Sequence, residues 1–321
     1  MTSITEIKDK LLRIHRSGKY ATLSPANLLQ THTQLTSILT LHQTLLSAVE
    51  LYDLYELQFY VSLMMSEDAI ALKYMNLIID RFGNNNSQRI TILKTVYLNA
   101  TEGAQSASYY VREKLKENQD QLRIMRTNIG LLKQQKEPTE YIEALVSFLD
   151  RQPLDAQCWY ELSEQYCQLG NYDKALHCLK EVLMLQPYAY NVMYKVGEVS
   201  LASLKQAAAS ATFQTPKTLD KVYGVAKDGR SNFLRSIELC DNYAKAWIGL
   251  YVMTLDGYSL NEKLSSRGNV LKSHRSLEGN IEAYLAKNAA LHSMAQKKLL
   301  ELSYDKDLPQ EVLAAIAAAL S

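Results

Sequence analysis

Residues 155–187 read DAQCWYELSEQYCQLGNYDKALHCLKEVLMLQP. Two amphipathic helices joined by a tight turn explain this order. Asp155 is placed to cap the first helix, and Pro153 just upstream keeps the chain extended. Gly170-Asn171 breaks that helix, and Asp173 is placed to cap the second. Pro187 stops the second helix, because the residue before a proline is pushed out of α geometry. Trp159, Leu162 and Tyr166 share one face of the first helix at steps of three and four. Ala175, Leu179 and Val182 do the same on the second, with Leu176 and Leu183 one step around. Small Ala175 lets the two backbones approach, while Trp159 and Tyr166 fill the space beside it.

The succession Trp, Leu, Tyr, Ala, a bulky residue and Pro over about 34 residues resembles the tetratricopeptide repeat. One departure is Ser163, where the pattern prefers glycine. Stepping one period back from Ala175, Leu179, Val182 and Pro187 lands on Tyr141, Leu145, Phe148 and Pro153, a degenerate repeat over 122–153 with a turn at Glu137-Pro138. A further step reaches Ala107, Val111 and Lys114 in a weaker match over 88–119. Forward, Met193, Val196 and Gly197 take the Trp, Leu and Gly places, and Trp247 with Leu250 opens another repeat after Phe233, Ser236, Ile237 and Leu239. The two tryptophans are separated by two periods plus about 20 residues. That excess predicts an insertion at about 204–225, with Thr215-Pro216 as its loop signal.

The expected fold is therefore all-α, a right-handed tetratricopeptide-repeat superhelix of stacked helical hairpins with irregular ends. Its predicted organisation is a single solenoid over 1–321: degenerate N-terminal helices over 1–86, a repeat core over 87–255, and C-terminal helices over 256–321. Ser24-Pro25 starts a helix, with Leu28, Leu35, Leu39, Leu46 and Val49 along one face. Helices over 51–65 and 67–81 follow, and Gly83-Asn84-Asn85-Asn86 marks a stop and loop. Residues 1–20 form an amphipathic helix with Ile4, Ile7, Leu11 and Ile14 as its stripe; a solvated terminal helix is favoured over a membrane-surface one. After Asp256-Gly257, helices are predicted through 262–302 and a short alanine-rich one over 309–320. Lys263, Arg267, Lys272, Arg275, Lys287, Lys297 and Lys298 of that block are read as a solvated face.

Composition narrows the function. A net charge of +1 over 321 residues offers no bulk attraction for nucleic acid or acidic membrane. Six prolines and twelve glycines leave a chain that favours helix throughout, and its 21 tyrosines suit half-buried helix contacts. The cysteines at 158, 167, 178 and 240 lack metal or disulfide spacing, which predicts reduced thiols. The N-terminus lacks a signal-peptide core and no apolar run approaches the ~20 residues of a membrane helix, so a soluble chain is expected. No phosphate loop, HExxH pair, GxSxG elbow or metal-spaced cluster occurs, and His15, His32, His42, His177, His274 and His292 are dispersed. The expectation is a protein that is not an enzyme and carries no cofactor or metal. The sequons at Asn85 and Asn99 are read as chance.

Beyond the repeat, CWYELSEQYCQLGNYDKALHCLKEVLMLQP (158–187), YNVMYKVGEV (190–199), SIELCDNY (236–243) and AKAWIGLYVM (244–253) resemble the family of subunit 2 of the endoplasmic reticulum membrane protein complex. The resemblance covers roughly 69–300 and departs at the insertion. It implies a non-catalytic scaffold on the cytoplasmic face of that membrane. Such a scaffold is peripheral, reaches the membrane through partners, and supports insertion of transmembrane segments. The implied partners are cytosolic segments of the complex's membrane-embedded subunits.

In a tetratricopeptide stack the first helix of each repeat lines the binding groove. Groove positions fall on Gln157, Tyr160, Glu164 and Cys167, then Asn191, Tyr194, Glu198 and Leu201, then Lys245, Ile248, Val252 and Leu255. Tyrosines, amides and apolar residues there suit an extended or helical segment. Some of these residues are equally read as meeting solvent or a neighbouring helix. The alternative is a soluble co-chaperone adaptor gripping carboxylate-terminated tails; Glu164 and Glu198 disfavour it by repulsion. An enzymatic role has no motif behind it.

The helix pairing generates a direct test. Replacing Ala175 with leucine should overpack the pair and cost about 1–3 kcal/mol in thermal or urea unfolding. An unchanged melting temperature would contradict the packing.

Overall fold

In the computed structural model Asp155 Oδ1 accepts the backbone N–H of Cys158 at 2.8 Å, starting a helix that ends where Gly170 turns left-handed at φ +69°. Gly170 N–H donates to Cys167 O at 3.0 Å and Asn171 N–H to Tyr166 O at 2.8 Å, the paired bonds of a Schellman stop. The second helix then begins at Tyr172, with Asn171 at the capping position. Asp173 lies one residue inside the helix and pairs with Lys221 instead of capping it. Ala175, Leu179, Val182 and Leu162 are buried as the spacing predicts. Ser163 is fully buried at the close approach, because its hydroxyl donates to Tyr160 O at 2.7 Å and leaves no unpaired donor.

The described residues are 4–83, 87–135, 138–209, 216–255, 275–304 and 308–320. Among them every regular element is helical: α1 (Ile4–Ser17), α2 (Pro25–Leu41), α3 (Ala48–Met64), α4 (Asp68–Phe82), α5 (Gln88–Thr101), α6 (Ala104–Glu117), α7 (Leu122–Gln135), α8 (Pro138–Leu149), α9 (Ala156–Gln168), α10 (Tyr172–Leu185), α11 (Tyr190–Ala209), α12 (Pro216–Leu239), α13 (Ala244–Thr254), α14 (Arg275–Ser303) and α15 (Gln310–Leu320). Two compact units divide the chain, residues 1–144 and 145–321.

In the first unit α1 lays Leu11, Leu12 and Ile14 into a core shared with Leu35, Leu54, Phe59 and Ile78. The stripe that resembled a membrane-surface face is thus mostly consumed inside the protein, although Ile4 stays exposed. Ser24 Oγ accepts from Asn27 N–H, as the Ser-Pro start predicts. The helix beyond it is shorter than its leucine spacing implies. It stops at Leu41, and Ser47 opens α3 through a capping box with Glu50, so Val49 lies exposed in a new first turn. Lys8 Nζ also reaches Glu50 at 2.9 Å. The Ser-x-x-Glu signal was present in the sequence and competed with an apolar periodicity that ran across it. Ala107 and Val111 on α6, and Tyr141 on α8, are buried where the stepped-back period places them, as are Leu145 and Phe148 in the part of α8 that belongs to the second unit. Pro138 is the first residue of α8; Glu137, Asn84, Asn85 and Asn86 lie outside the described residues.

The second unit carries the clearest repeats. Trp159 Nε1 donates to Pro153 O at 2.9 Å and Trp247 Nε1 to Asp241 O at 2.6 Å. Each indole therefore ties its helix to the carbonyl six residues upstream, the same device in both repeats. The insertion is largely helix rather than loop: it lengthens α11 to Ala209 and starts α12 at Pro216. Residues 210–215 lie outside the described ones, Thr215 among them. The added turns stand beside the α9–α10 turn, bridged by Gln206 Nε2 donating to Gly170 O at 3.1 Å and by Lys221–Asp173. They border an open cleft of about 700 Å³. Arg230 on α12 is held by α14, its Nη1 donating to Tyr284 O at 2.7 Å and Asn288 Oδ1 at 2.6 Å while its guanidinium lies over the Tyr284 ring. Residues 256–274, with Lys263, Arg267, Lys272 and His274, lie outside the described set. Lys287 and Lys297 are exposed as expected, and Lys298 pairs with Asp241.

Phe233 of α12 is completely buried against both α11 and α13 at Gly197 and Gly249. A Cβ at Gly197 would fall within 2.5 Å of the ring, and one at Gly249 closer still. Alanine normally gains about 1 kcal/mol over glycine inside a helix. Gly249→Ala should instead lose about 1–3 kcal/mol net in urea unfolding, with part of the loss recovered by Phe233→Leu in the same chain. A stabilised Gly249→Ala chain would contradict the wedge.

Candidate functional site

The first helices α9, α11 and α13 carry the predicted groove positions. Tyr160 and Cys167 on α9 lie within electrostatic reach of Lys195 and Glu198 on α11 and of Glu164 on their own helix. Burial raises the Tyr160 hydroxyl pKa, and the Glu164 carboxylate adds to the effect. Tyr194 is raised likewise, first by burial and then by Glu198, whose Oε1 accepts its hydroxyl at 3.1 Å. Lys195 Nζ donates to the other Glu198 oxygen at 2.6 Å. Burial is the largest single influence and works against the Lys195 charge, but that hydrogen bond and the charges of Glu198, Tyr160 and Cys167 together outweigh it and hold the ammonium pKa above its usual value. Tyr243 stacks edge-on to both Tyr190 and Tyr194, at 5.1 and 5.5 Å between ring centroids.

Further along the same face, Tyr194, Glu198 and Leu201 of α11 meet Lys245, Ile248 and Val252 of α13 around a cavity of about 320 Å³. Phe233 and Gly249 also line it, and Ala315 of α15 contributes one more side. Six predicted groove residues therefore surround one space. Others do not join it. Gln157 is exposed and donates to Glu161 on its own helix at 3.0 Å, and Asn191 is exposed. Leu255 lies beyond the last turn of α13. Of the repeat-packing residues, Trp159 and Tyr166 are half-buried, Trp247 is buried, and Pro187 is exposed beyond the α10 end.

Four side-chain contributors went unforeseen. Lys195 was legible, since it stands three residues before Glu198 on one helix. Tyr243 was visible only as an aromatic residue, and Phe233 as a position of the resumed repeat pattern, neither with a partner. Ala315 carries no local signal; a distant helix brings it to the cavity. The pairing by Lys195 also changes the charge reading. Of the two carboxylates expected to repel an anionic tail, Glu198 is already balanced, and Glu164 forms no ion pair among the described residues. Among the described residues no group of three His, Cys, Asp or Glu is placed to hold a metal ion, and no helix is long and apolar enough to cross a membrane.

Paired helices with a lined face make an all-α fold of the tetratricopeptide-repeat type, and the sequence model of the tetratricopeptide repeat matches residues 156–189. The resemblance to subunit 2 of the endoplasmic reticulum membrane protein complex holds across most of the chain. ER membrane protein complex subunit 2 of Saccharomyces cerevisiae is 26% identical over 250 residues, which cover 75% of this chain and 82% of that protein. TPR repeat protein oca3 of Schizosaccharomyces pombe is 26% identical over 201 residues, covering 63% of this chain, and the match spans 65% of oca3. Subunit 2-A of Xenopus laevis is 23% identical over 219 residues, covering 68% of this chain and 67% of that one. In three dimensions, the C-terminal part of a TPR repeat-containing protein from Cytophaga hutchinsonii aligns over 96% of this chain and 98% of its own, with TM-score 0.53 and 12% identity, a likeness of fold.

The Cys167 thiol is half-buried on this face, and burial raises its pKa. Its thiolate fraction at neutral pH is thereby lowered. Maleimide should label Cys167 more slowly in the folded chain than after urea denaturation. A segment seated across Tyr160 and Tyr194 should slow it further, with peptide mass spectrometry following the modification. Labelling at Cys167 as fast in the folded chain as in urea would contradict its burial.

Proposed function

We propose that this chain is a non-catalytic scaffold subunit of the endoplasmic reticulum membrane protein complex, peripheral and on the cytoplasmic side. It holds cytosolic segments of the membrane-embedded subunits along the α9–α11–α13 face and so supports insertion of transmembrane segments. The observation that carries this proposal is similarity to proteins named as subunit 2 of that complex, extending over 75% of this chain for the yeast relative. A face rich in half-buried tyrosine, with an apolar cavity beside it, fits retention of a peptide segment better than turnover of a small substrate. A subunit of this kind needs no membrane helix of its own, because its partners supply the anchor.

Purifying the tagged chain from membranes in mild detergent should recover several integral membrane proteins in constant ratio. Recovery of the chain alone would overturn the proposal. Saturable binding of a chaperone C-terminal peptide, lost on amidation of its carboxylate, would favour the co-chaperone alternative.

A further inference from the structure

The cavity at the α11–α13 junction differs from the rest of the tyrosine-lined face. Its walls are Tyr194, Leu201, Ile248 and Val252, and its floor is Phe233 over Gly249. The floor cannot easily collapse, since the ring is buried and close against the glycine backbones of both neighbouring helices. A preformed socket of this kind anchors a side chain without a reorganisation cost. An enclosed apolar cavity of about 150 Å³ already accepts benzene. The volume here is about 320 Å³, enough for one large side chain with part of its backbone. Ala315 of α15 borders the space, and its small side chain leaves the opening clear.

Charge selects what accompanies the anchor. Glu198 at the cavity is already engaged by Lys195 and Tyr194. Lys245 lines the same cavity, is exposed, and forms no ion pair among the described residues. The uncompensated charge beside this apolar socket is therefore positive. A basic segment would meet it unfavourably, whereas an acidic side chain within about one helical turn of the anchor (3.6 residues) would reach it.

We infer that the α11–α13 cavity is an anchor socket for one leucine-, methionine- or phenylalanine-sized side chain of a partner segment, and that Lys245 pairs with an aspartate or glutamate within one turn of that anchor. This deepens the scaffold proposal and takes from it the identity of the partner as a membrane-embedded subunit.

The test uses the full chain purified with its membrane subunits. Ala315→Leu fills the socket from an exposed position, Lys245→Glu reverses the rim charge, and Ala314→Leu on the exposed side of α15 is the control. The first two should lower recovery of at least one membrane subunit about tenfold, equivalent to about 1.4 kcal/mol. The control should not, and all three chains should melt together. A benzophenone amino acid replacing the exposed Glu311, one helical turn before Ala315 and outside the cavity lining, should cross-link to a peptide holding a large apolar residue and an acidic residue within four positions. Unchanged recovery with Ala315→Leu overturns the socket while leaving the scaffold proposal standing. So does a cross-link only to a second copy of this chain, or to a peptide without those residues. If the wild-type chain recovers no membrane subunit, the scaffold proposal fails first, and the cross-linked peptide still decides the socket's occupant.

Discussion

One aromatic ring holds the second unit in register. Phe233 projects from α12 against α11 and α13 together, at the points where each presents a glycine. Side chains larger than hydrogen at those points would drive the helices apart or expel the ring, because close-packed interiors absorb even a methyl group poorly. With the ring seated, α11 and α13 stand close enough for Tyr194 and Ile248 to face one space. Tyr194 itself contacts Phe233, at 6.0 Å between ring centroids. The packing wedge and the candidate binding surface are thus two sides of the same residue.

Around this wedge polar groups tie the helices to one another. The two indole N–H groups secure the entrances of α9 and α13, and Arg230 joins α12 to α14 through a carbonyl and an amide oxygen. Donors satisfied in this way each add a modest net stability of about 0.5–1.5 kcal/mol. Tyr194, Lys195 and Glu198 form a similar closed set on the groove face. Their mutual neutralisation makes Lys245 the charge that a ligand of the adjoining cavity would meet.

Much of the fold was legible because the repeat spacing encodes local choices. Asp155 caps, Gly170 turns and Pro187 stops for reasons contained within a few residues, and Trp159, Leu162 and Ala175 declare buried faces by their period. The errors arose where two local signals competed. Leu46 and Val49 continued a leucine spacing while Ser47 and Glu50 specified a new helix start, and the capping box prevailed because it satisfies two terminal N–H groups at once. Asp173 looked like a cap, but the turn hydrogen bonds set by Gly170 put the capping position at Asn171, two residues too early for it. The insertion carried a Thr-Pro loop signal, yet proline is also well suited to a first helical turn, and Pro216 takes that role.

The order and type of helices, the phase of the repeats and the side chains on their first-helix face are written in the sequence, since each depends on contacts within one or two turns. Which of those side chains meet is a different matter. Lys195 neutralises Glu198 within a single helix and could have been anticipated, whereas Phe233 reaching Gly249, or Ala315 bordering the Ile248 cavity, joins residues distant along the chain. Those meetings follow from how α12 and α15 pack, a balance of ring volume and backbone approach that no local spacing encodes.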